Sequence, residues 1–315
     1  MRWISGTLML MLMFVVAGCG SPTSPKAVLP KSAATDQILV SSQPLLEMAQ
    51  AVAAETLPVA KIVSDSVSSR YWKPTREEAR TLQQARLILI NGAGYEPWTA
   101  RLSLPDSRLI DTAAGYYDQL VRIPDAVTHQ HGPGGKHGHP GTVWATWLNP
   151  ELASSQLSQV TSALTKVAPD QKTKLEANAA RMKSQLESVN QRVSELQTLT
   201  GEMKLTILSD GPFYQYLTER LGWKLNYMHW SETGELSDID QQELTTAMKD
   251  LPADHHRLFL ISSRQSEQAE TFAADLGLRV VRVDLCEFPA TPASTLIERL
   301  EGNLTRLKNA VTDGH

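Results

Sequence analysis

The stretch Thr128–Pro150 reads THQHGPGGKHGHPGTVWATWLNP and places His129, His131, His137 and His139 within eleven residues. Neutral imidazoles are common metal ligands, and histidines two apart on a glycine-rich segment can converge on one Zn2+, Cu2+ or Ni2+ ion. The chemistry this predicts is weak and exchangeable, because glycine leaves the ligands without fixed geometry. The same text also reads as a flexible polar insertion whose imidazoles are simply solvated. Asp284 and Cys286 lie two apart at the end of an apolar run, where both side chains would face one side of a strand. Carboxylate plus thiolate is half of a soft-metal site, whereas a buried unpaired cysteine behaves as a small apolar group. His229, in Tyr227-Met-His-Trp230 near the end of a short strand, either reaches a cleft or packs beside the tryptophan. His255-His256 sit in a solvated turn. No GxSxG, HExxH or P-loop is present and no helical pair of acids stands out, so an enzyme is not expected.

These residues need a scaffold. The chain has 315 residues, 42% of them hydrophobic, with a net charge of −4. That is enough apolar material for one large or two medium domains. The even charge balance, without a basic stripe, excludes a nucleic-acid partner. Met1-Arg2, the apolar run Trp3–Val16 and the small residues before Cys19 form a secretory signal. Val16-Ala-Gly-Cys19 looks like a bacterial lipobox, which implies cleavage before Cys19, lipid on that cysteine, and an exported protein held at the outer face of the cytoplasmic membrane or in the periplasm or outer membrane. Residues 20–35 read as a flexible tether. With Cys19 lipidated, Cys286 has no intramolecular partner, and no disulfide framework is expected.

Short runs rich in Val, Ile and Leu predict strands at Gln37–Ser42, Val59–Ser64, Arg86–Asn91 and Arg108–Thr112. A second set falls at Lys204–Ser209, Arg257–Ser262 and Arg279–Leu285. Their nearly continuous apolar character suits strands covered on both faces, and helical stretches such as Pro44–Thr56 lie between them. The expectation is α/β architecture with mainly parallel sheets. Between the two sets, Leu175, Ala179, Met182, Leu186, Val189, Val193 and Leu196 alternate in steps of four and three. Pro169 precedes this pattern and Gly201 follows it, predicting one helix over 170–200 of roughly 45 Å. A helix joining two lobes fits better than a coiled-coil dimer, because no e/g charge code accompanies it. The implied layout is a signal peptide (1–19), a tether (20–35), an N-terminal lobe (36–169) carrying the histidine loop, the linking helix (170–200) and a C-terminal lobe (201–315).

Several motifs follow one another in order: Asn91-Gly-Ala-Gly-Tyr-Glu-Pro-Trp98, Trp147-Leu-Asn-Pro150, the long helix, Leu208-Ser-Asp210, Glu235-Leu-Ser237 and Val283-Asp-Leu285. Together they resemble the metal-binding (zinc or manganese) solute-binding proteins of ABC transporters, over about residues 36 to 312. The resemblance implies two α/β lobes joined by a rigid helix, a ligand between the lobes, a monomer, and delivery to a membrane permease driven by its ATPase. Many zinc members also carry a histidine-rich loop in the first lobe.

The ligand set implied by the resemblance is largely missing. Arg70, in Ser68-Ser-Arg-Tyr-Trp-Lys-Pro-Thr75, stands where the family's first histidine belongs, Ala145 at the second and Ser209, followed by the expected Asp210, at the third. Only Asp284 is kept at the fourth. Zinc needs three or four His, Cys or carboxylate ligands, which alanine and serine do not replace, and a permanently protonated guanidinium repels a cation. The family's usual cation site is therefore not expected. Arg70 could instead pair with Asp284 across the lobes. Alternatively Arg70, Ser209, Tyr71 and Trp72 would suit an anionic or zwitterionic molecule or a metal chelate. Arg70 as a solvated surface residue, with Tyr71 and Trp72 packed on the lobe, is the plain alternative. A surface lipoprotein that adheres to a partner or scavenges metal through the loop, without transport, is the competing function.

Overall fold

The computed structural model describes residues 36–123, 141–231, 235–290 and 292–313, together with the short strands at 129–130 and 136–137. The N-terminal lobe contains β1 (Ile38–Val40), α1 (Gln43–Ala53), β2 (Val59–Lys61), α2 (Arg76–Gln84), β3 (Leu87–Ile90), β4 (Leu109–Asp111), β5 (His129–Gln130), β6 (Lys136–His137) and α3 (Pro150–Val167). Its four-stranded sheet runs β2-β1-β3-β4, all parallel. After α4 (Lys172–Thr200) come β7 (Leu205–Ser209), α5 (Gln215–Arg220), β8 (Leu225–Tyr227), α6 (Asp238–Lys249), β9 (His256–Ser262), α7 (Glu267–Asp275), β10 (Arg279–Val283) and α8 (Leu296–Thr312). The second sheet, β10-β9-β7-β8, is again fully parallel.

The central strands β1 (ILV) and β3 (LILI) are buried along their whole length, which is why they read as continuous apolar runs rather than alternating ones. Local signals then stop and start the helices. Ser42 caps α1, and α2, α6 and α8 each begin with a full capping box built on Thr75, Ser237 and Thr295. Among the described residues, no helix is long and apolar enough to cross a membrane.

Helix α4 has 29 residues, about 44 Å at 1.5 Å per residue. It buries the seven-residue stripe expected of it, plus Asn178 and Thr200. Its first turn begins after a short 3-10 turn at Pro169–Gln171, two residues later than the periodicity predicts. Asn178 donates to the carbonyl of Val52 at 2.9 Å, fixing α4 to the end of α1. Nearer its C-terminal end, Trp223 donates to Thr200 Oγ1 at 2.9 Å. A single apolar core runs from Ile38 and Leu89 of the first sheet, along α4, to Leu258 and Val283 of the second. The segments beyond the strand ends of the two lobes meet: Tyr95, after β3, bonds to Glu287, after β10. In open parallel sheets the carboxyl ends of the strands, at the point where strand order reverses, are where ligands sit. In the first lobe that point lies between β1 and β3, and in the second between β7 and β9.

Candidate functional site

Beyond β3 the chain enters three consecutive left-handed residues, Gly92, Ala93 and Gly94, with φ of 75°, 52° and 77°. This turn wraps Glu96 back on itself. The Glu96 carboxylate accepts from the backbone amides of Asn91 (2.7 Å) and Gly92 (3.0 Å), and from the hydroxyl of Ser41 at the end of β1. Successive amides converging on one carboxylate form an anion nest, here filled from within the chain. Burial nevertheless dominates and pushes the Glu96 carboxyl up to about 8. Gly92 is required for a second reason: a Cβ there would lie 2.0 Å from Oδ1 of Asp111. Asn91 donates to the carbonyl of Trp144 (3.1 Å) and accepts from Gln156 (2.8 Å), tying the turn to the segment before α3. Trp98 donates to Ser69 at 3.0 Å, drawing in the loop that carries Ser68 and Arg70. The motif thus positions three neighbours of the cleft: Tyr95, Trp144 and the 68–70 loop.

Tyr95 and the 68–70 loop meet Glu287 of the other lobe, and Trp144 packs on Arg70 beside it. Arg70 Nε lies 3.4 Å from Glu287 Oε1, Tyr95 donates to the same oxygen at 3.1 Å, and the hydroxyl of Ser68 donates to it as well. The Arg70 guanidinium also stacks over Trp144, 4.3 Å from its ring centre, and lies 4.8 Å from that of Tyr71. Tyr95, Trp144, Trp147 and Phe213 form a contiguous aromatic wall with centroid separations of 5.4 to 5.8 Å. The Arg70 and Glu287 side chains are 8% and 6% exposed, so this ion pair is buried. The Tyr95 phenol is pushed far above its ordinary range, first by burial and then by the Glu287 charge beside it. Compared with apolar packing, a buried pair of this kind stabilises little. Removing one partner, however, strands the other charge at a cost of about 3–5 kcal/mol.

Arg70 is therefore not a surface residue, and among the described residues the carboxylate it meets across the lobes is Glu287 and not Asp284. Asp284 belongs to a different network. Its Oδ1 accepts the amide of Cys286 at 2.7 Å, and its Oδ2 lies 3.8 Å from Arg299 of α8. Arg299 in turn reaches Glu47 of α1 in the first lobe at 2.9 Å and donates to the carbonyl of Phe288 at 2.6 Å. Trp147 adds a third bridge, donating to the carbonyl of Leu285 at 2.8 Å. Strand β10 ends at Val283, so strand alternation does not govern Asp284 and Cys286. Cys286 takes φ +56° and is fully buried, and burial pushes its thiol well above the usual range, so it packs as a small apolar group.

The other anticipated residues divide between packing and local bonding. Ala145 is completely buried at the start of a short 3-10 turn. Ser209, at the end of β7, donates to the carbonyl of Gly211 at 2.8 Å. Asp210 accepts from Tyr214 (2.8 Å) and from the amide of Ser262 (2.9 Å), fastening its own lobe's strand ends together. Trp72 packs edge-on against Trp98 at 5.2 Å, while Tyr71 is 58% exposed. His229 Nδ1 lies 2.8 Å from Glu243 and its amide donates to the same carboxylate. In the histidine loop, β5 and β6 pair antiparallel with His129 opposite His137. His131, His139 and Cys19 lie outside the described residues. Among the described residues, no three His, Cys, Asp or Glu side chains come together as a metal cluster.

Sequence reasoning passed over Glu287, Ser68, Tyr95, Trp144 and the Glu47–Arg299 pair. Two of them carried a signal. Glu287 is the one charge in Leu285-Cys-Glu-Phe-Pro289, and Arg299 occupies a core-facing position of α8 beside Leu296, Leu300 and Leu304. A charge in an apolar register calls for a buried partner.

The family description "zinc-uptake complex component A, periplasmic" matches residues 38–310. The chain belongs to that family. It is a family of metal-type ABC-importer solute-binding proteins. Relatives include the high-affinity zinc uptake system protein ZnuA of Bacillus subtilis, 22% identical over 285 residues that cover 88% of this chain and 86% of that one. A putative metal-binding protein of Chlamydia trachomatis is 24% identical over 220 residues, covering 68% and 72%. Among solved structures, the metal-dependent lipoprotein YcdH of Bacillus subtilis superposes with a TM-score of 0.69 at 19% identity, covering 87% of this chain and 98% of that one. Zn(II)-bound AdcA of Streptococcus pneumoniae gives 0.70 at 19% identity, covering 89% and 58%. The two-lobed fold with its long helix is the family's fold.

Proposed function

We propose that this member is an exported, lipid-anchored solute-binding protein of a metal-type importer whose interlobe site no longer receives a bare divalent cation. In this reading Cys19 carries the lipid, residues 20–35 are the tether, and the closed two-lobed body works as a monomer with a permease and its ATPase. The observation that carries it is Arg70. Its guanidinium stands at the position of the family's first histidine and lies against Glu287 of the facing lobe. A fixed positive charge there opposes a metal ion, and the neighbouring positions offer little in compensation. Ala145 has no donor atom, and the Ser209 hydroxyl is bonded to a backbone carbonyl. Any zinc bound by the wild-type chain is then weak and belongs to His129, His131, His137 and His139.

Calorimetry and metal analysis of the purified mature protein test this. The expected result is no tight interlobe zinc site, and weak zinc binding that disappears when the four loop histidines are replaced together. One nanomolar zinc site that survives deletion of Thr128–Pro140 overturns the proposal.

A further inference from the structure

We propose that the interlobe pocket is a guanidinium site filled by the protein's own Arg70, so that the chain supplies the cation bridging its two lobes. This rests on the reading of an altered interlobe site and specifies what fills it. The pocket has the parts that recognise an organic cation rather than a metal. The face of Trp144 lies 4.3 Å from the guanidinium carbon, an indole being the strongest cation–π partner among the side chains. Tyr71 offers a second ring at 4.8 Å. Glu287 supplies the counter-charge, and Ser68 and Tyr95 both donate to its carboxylate, holding it in place. The pocket floor is apolar and aromatic, with Trp147 and Phe213 behind Trp144.

The two halves of the site come from opposite lobes. Arg70, Tyr71, Ser68, Tyr95 and Trp144 belong to the first, and Glu287 to the second. A cation placed between them therefore bridges the lobes, as cargo would. A ligand tethered through its own backbone competes at an effective concentration on the order of millimolar or more. Soluble cations below that concentration do not displace it, and the wild-type site ignores them.

The test is chemical rescue in the full mature chain. Thermal unfolding and tryptophan fluorescence are followed for wild type, R70A and R70A/E287Q during titration with methylguanidinium, with tetramethylammonium and sodium chloride as controls. R70A vacates the space of the guanidinium and should melt lower than wild type. Millimolar methylguanidinium should raise its melting temperature by several degrees, shift its tryptophan emission towards that of wild type, and leave wild type unmoved. The double variant, lacking the counter-charge, should lose this rescue at least tenfold. Equal responses of wild type, R70A and R70A/E287Q to methylguanidinium overturn the proposal, as does no response of R70A. Should R70A not fold alone, it is refolded with and without methylguanidinium: recovery of native tryptophan emission that R70A/E287Q does not share supports the proposal, and no recovery overturns it. A tight interlobe zinc site in wild type would refute the altered-site reading. Failed rescue with no zinc site would refute only the guanidinium assignment.

Discussion

Glu96 makes the most direct claim about how this scaffold is held together. A carboxyl whose folded pKa is raised above its unfolded value contributes stability that is fully present below the unfolded value. That contribution is lost as pH rises through the folded one. For Glu96 the window runs from the ordinary 4.5 up to about 8, because burial outweighs the hydrogen bonds from Ser41, Asn91 and Gly92. At 1.36 kcal/mol per unit the whole window is worth about 5 kcal/mol. Replacing Glu96 with glutamine removes this titration and keeps one acceptor oxygen for the Asn91 amide and the Ser41 hydroxyl, while its amide nitrogen takes the place of the oxygen that accepts from Gly92. The new amide N–H must find a partner inside the turn, at a cost of about 1–2 kcal/mol.

The two effects have opposite pH dependence, which makes the test sharp. Below about pH 4, where wild-type Glu96 is mostly protonated in both states, E96Q should be the less stable protein by about 1–2 kcal/mol. Above about pH 9 it should be the more stable by about 3 kcal/mol, and the two stability curves cross at about pH 5–6, where the wild-type loss reaches the cost of the glutamine. Urea unfolding of both proteins at matched pH values gives the difference directly, and every group common to both cancels. If E96Q is destabilised equally at both ends, the nest of amides neutralises the carboxylate fully and burial does not dominate.

Two further perturbations address the interlobe frame and the turn. Gly92→Ala places a Cβ against Asp111 at a φ of 75°, which combines left-handed strain with loss of the Asp111 bond to the amide of Ala113. The expected cost is about 3 kcal/mol, or a melting temperature lower by about 6–12 °C in circular dichroism, and a drop under about 2 °C would show that Asp111 swings away freely. Glu47→Ala leaves Arg299, 4% exposed, without its partner across the lobes. It should cost about 3 kcal/mol in denaturant unfolding, with E47A/R299M less destabilised than E47A alone, and additive losses would show the pair is uncoupled.

Most of the scaffold was legible because its signals are local. Seven apolar runs became strands, and the stripe from Leu175 to Leu196 became the buried face of α4, since period alone decides which side of a helix is covered. The site was legible only where one lobe sufficed. Arg70 could be singled out as a charge at a ligand position, but its partner could not. Glu287 and Asp284 lie three residues apart beyond one strand, and nothing local says which of them faces the other lobe. That choice is made by Arg299, which lies 3.8 Å from Asp284 and bonds to Glu47, and by the left-handed turn at Cys286. Cys286 was assigned to a strand face because the apolar run continues past Val283, where hydrogen bonding to β9 has already stopped.

The residues that carry the family's motifs and the residues that would carry its metal do different work here. Asn91, Glu96, Trp147 and Asp210 are satisfied wholly by protein groups: two amides and a serine for Glu96, a tyrosine and an amide for Asp210, a carbonyl across the lobes for Trp147. Removing any of them would leave buried polar atoms unpaired, so they hold the strand ends in place whether or not a ligand is present. At the positions proposed for the metal ligands, Ala145 has no polar atom to satisfy, Ser209 bonds only to the carbonyl of Gly211, and Arg70 bonds across the lobes. Arginine at the first position brings a charge of its own, which a buried site tolerates only with an opposite charge beside it, and Glu287 supplies that from the facing lobe. The bridge between the lobes is here completed by a side chain. A protein closed in that way would respond to the loss of Arg70 rather than to the removal of metal.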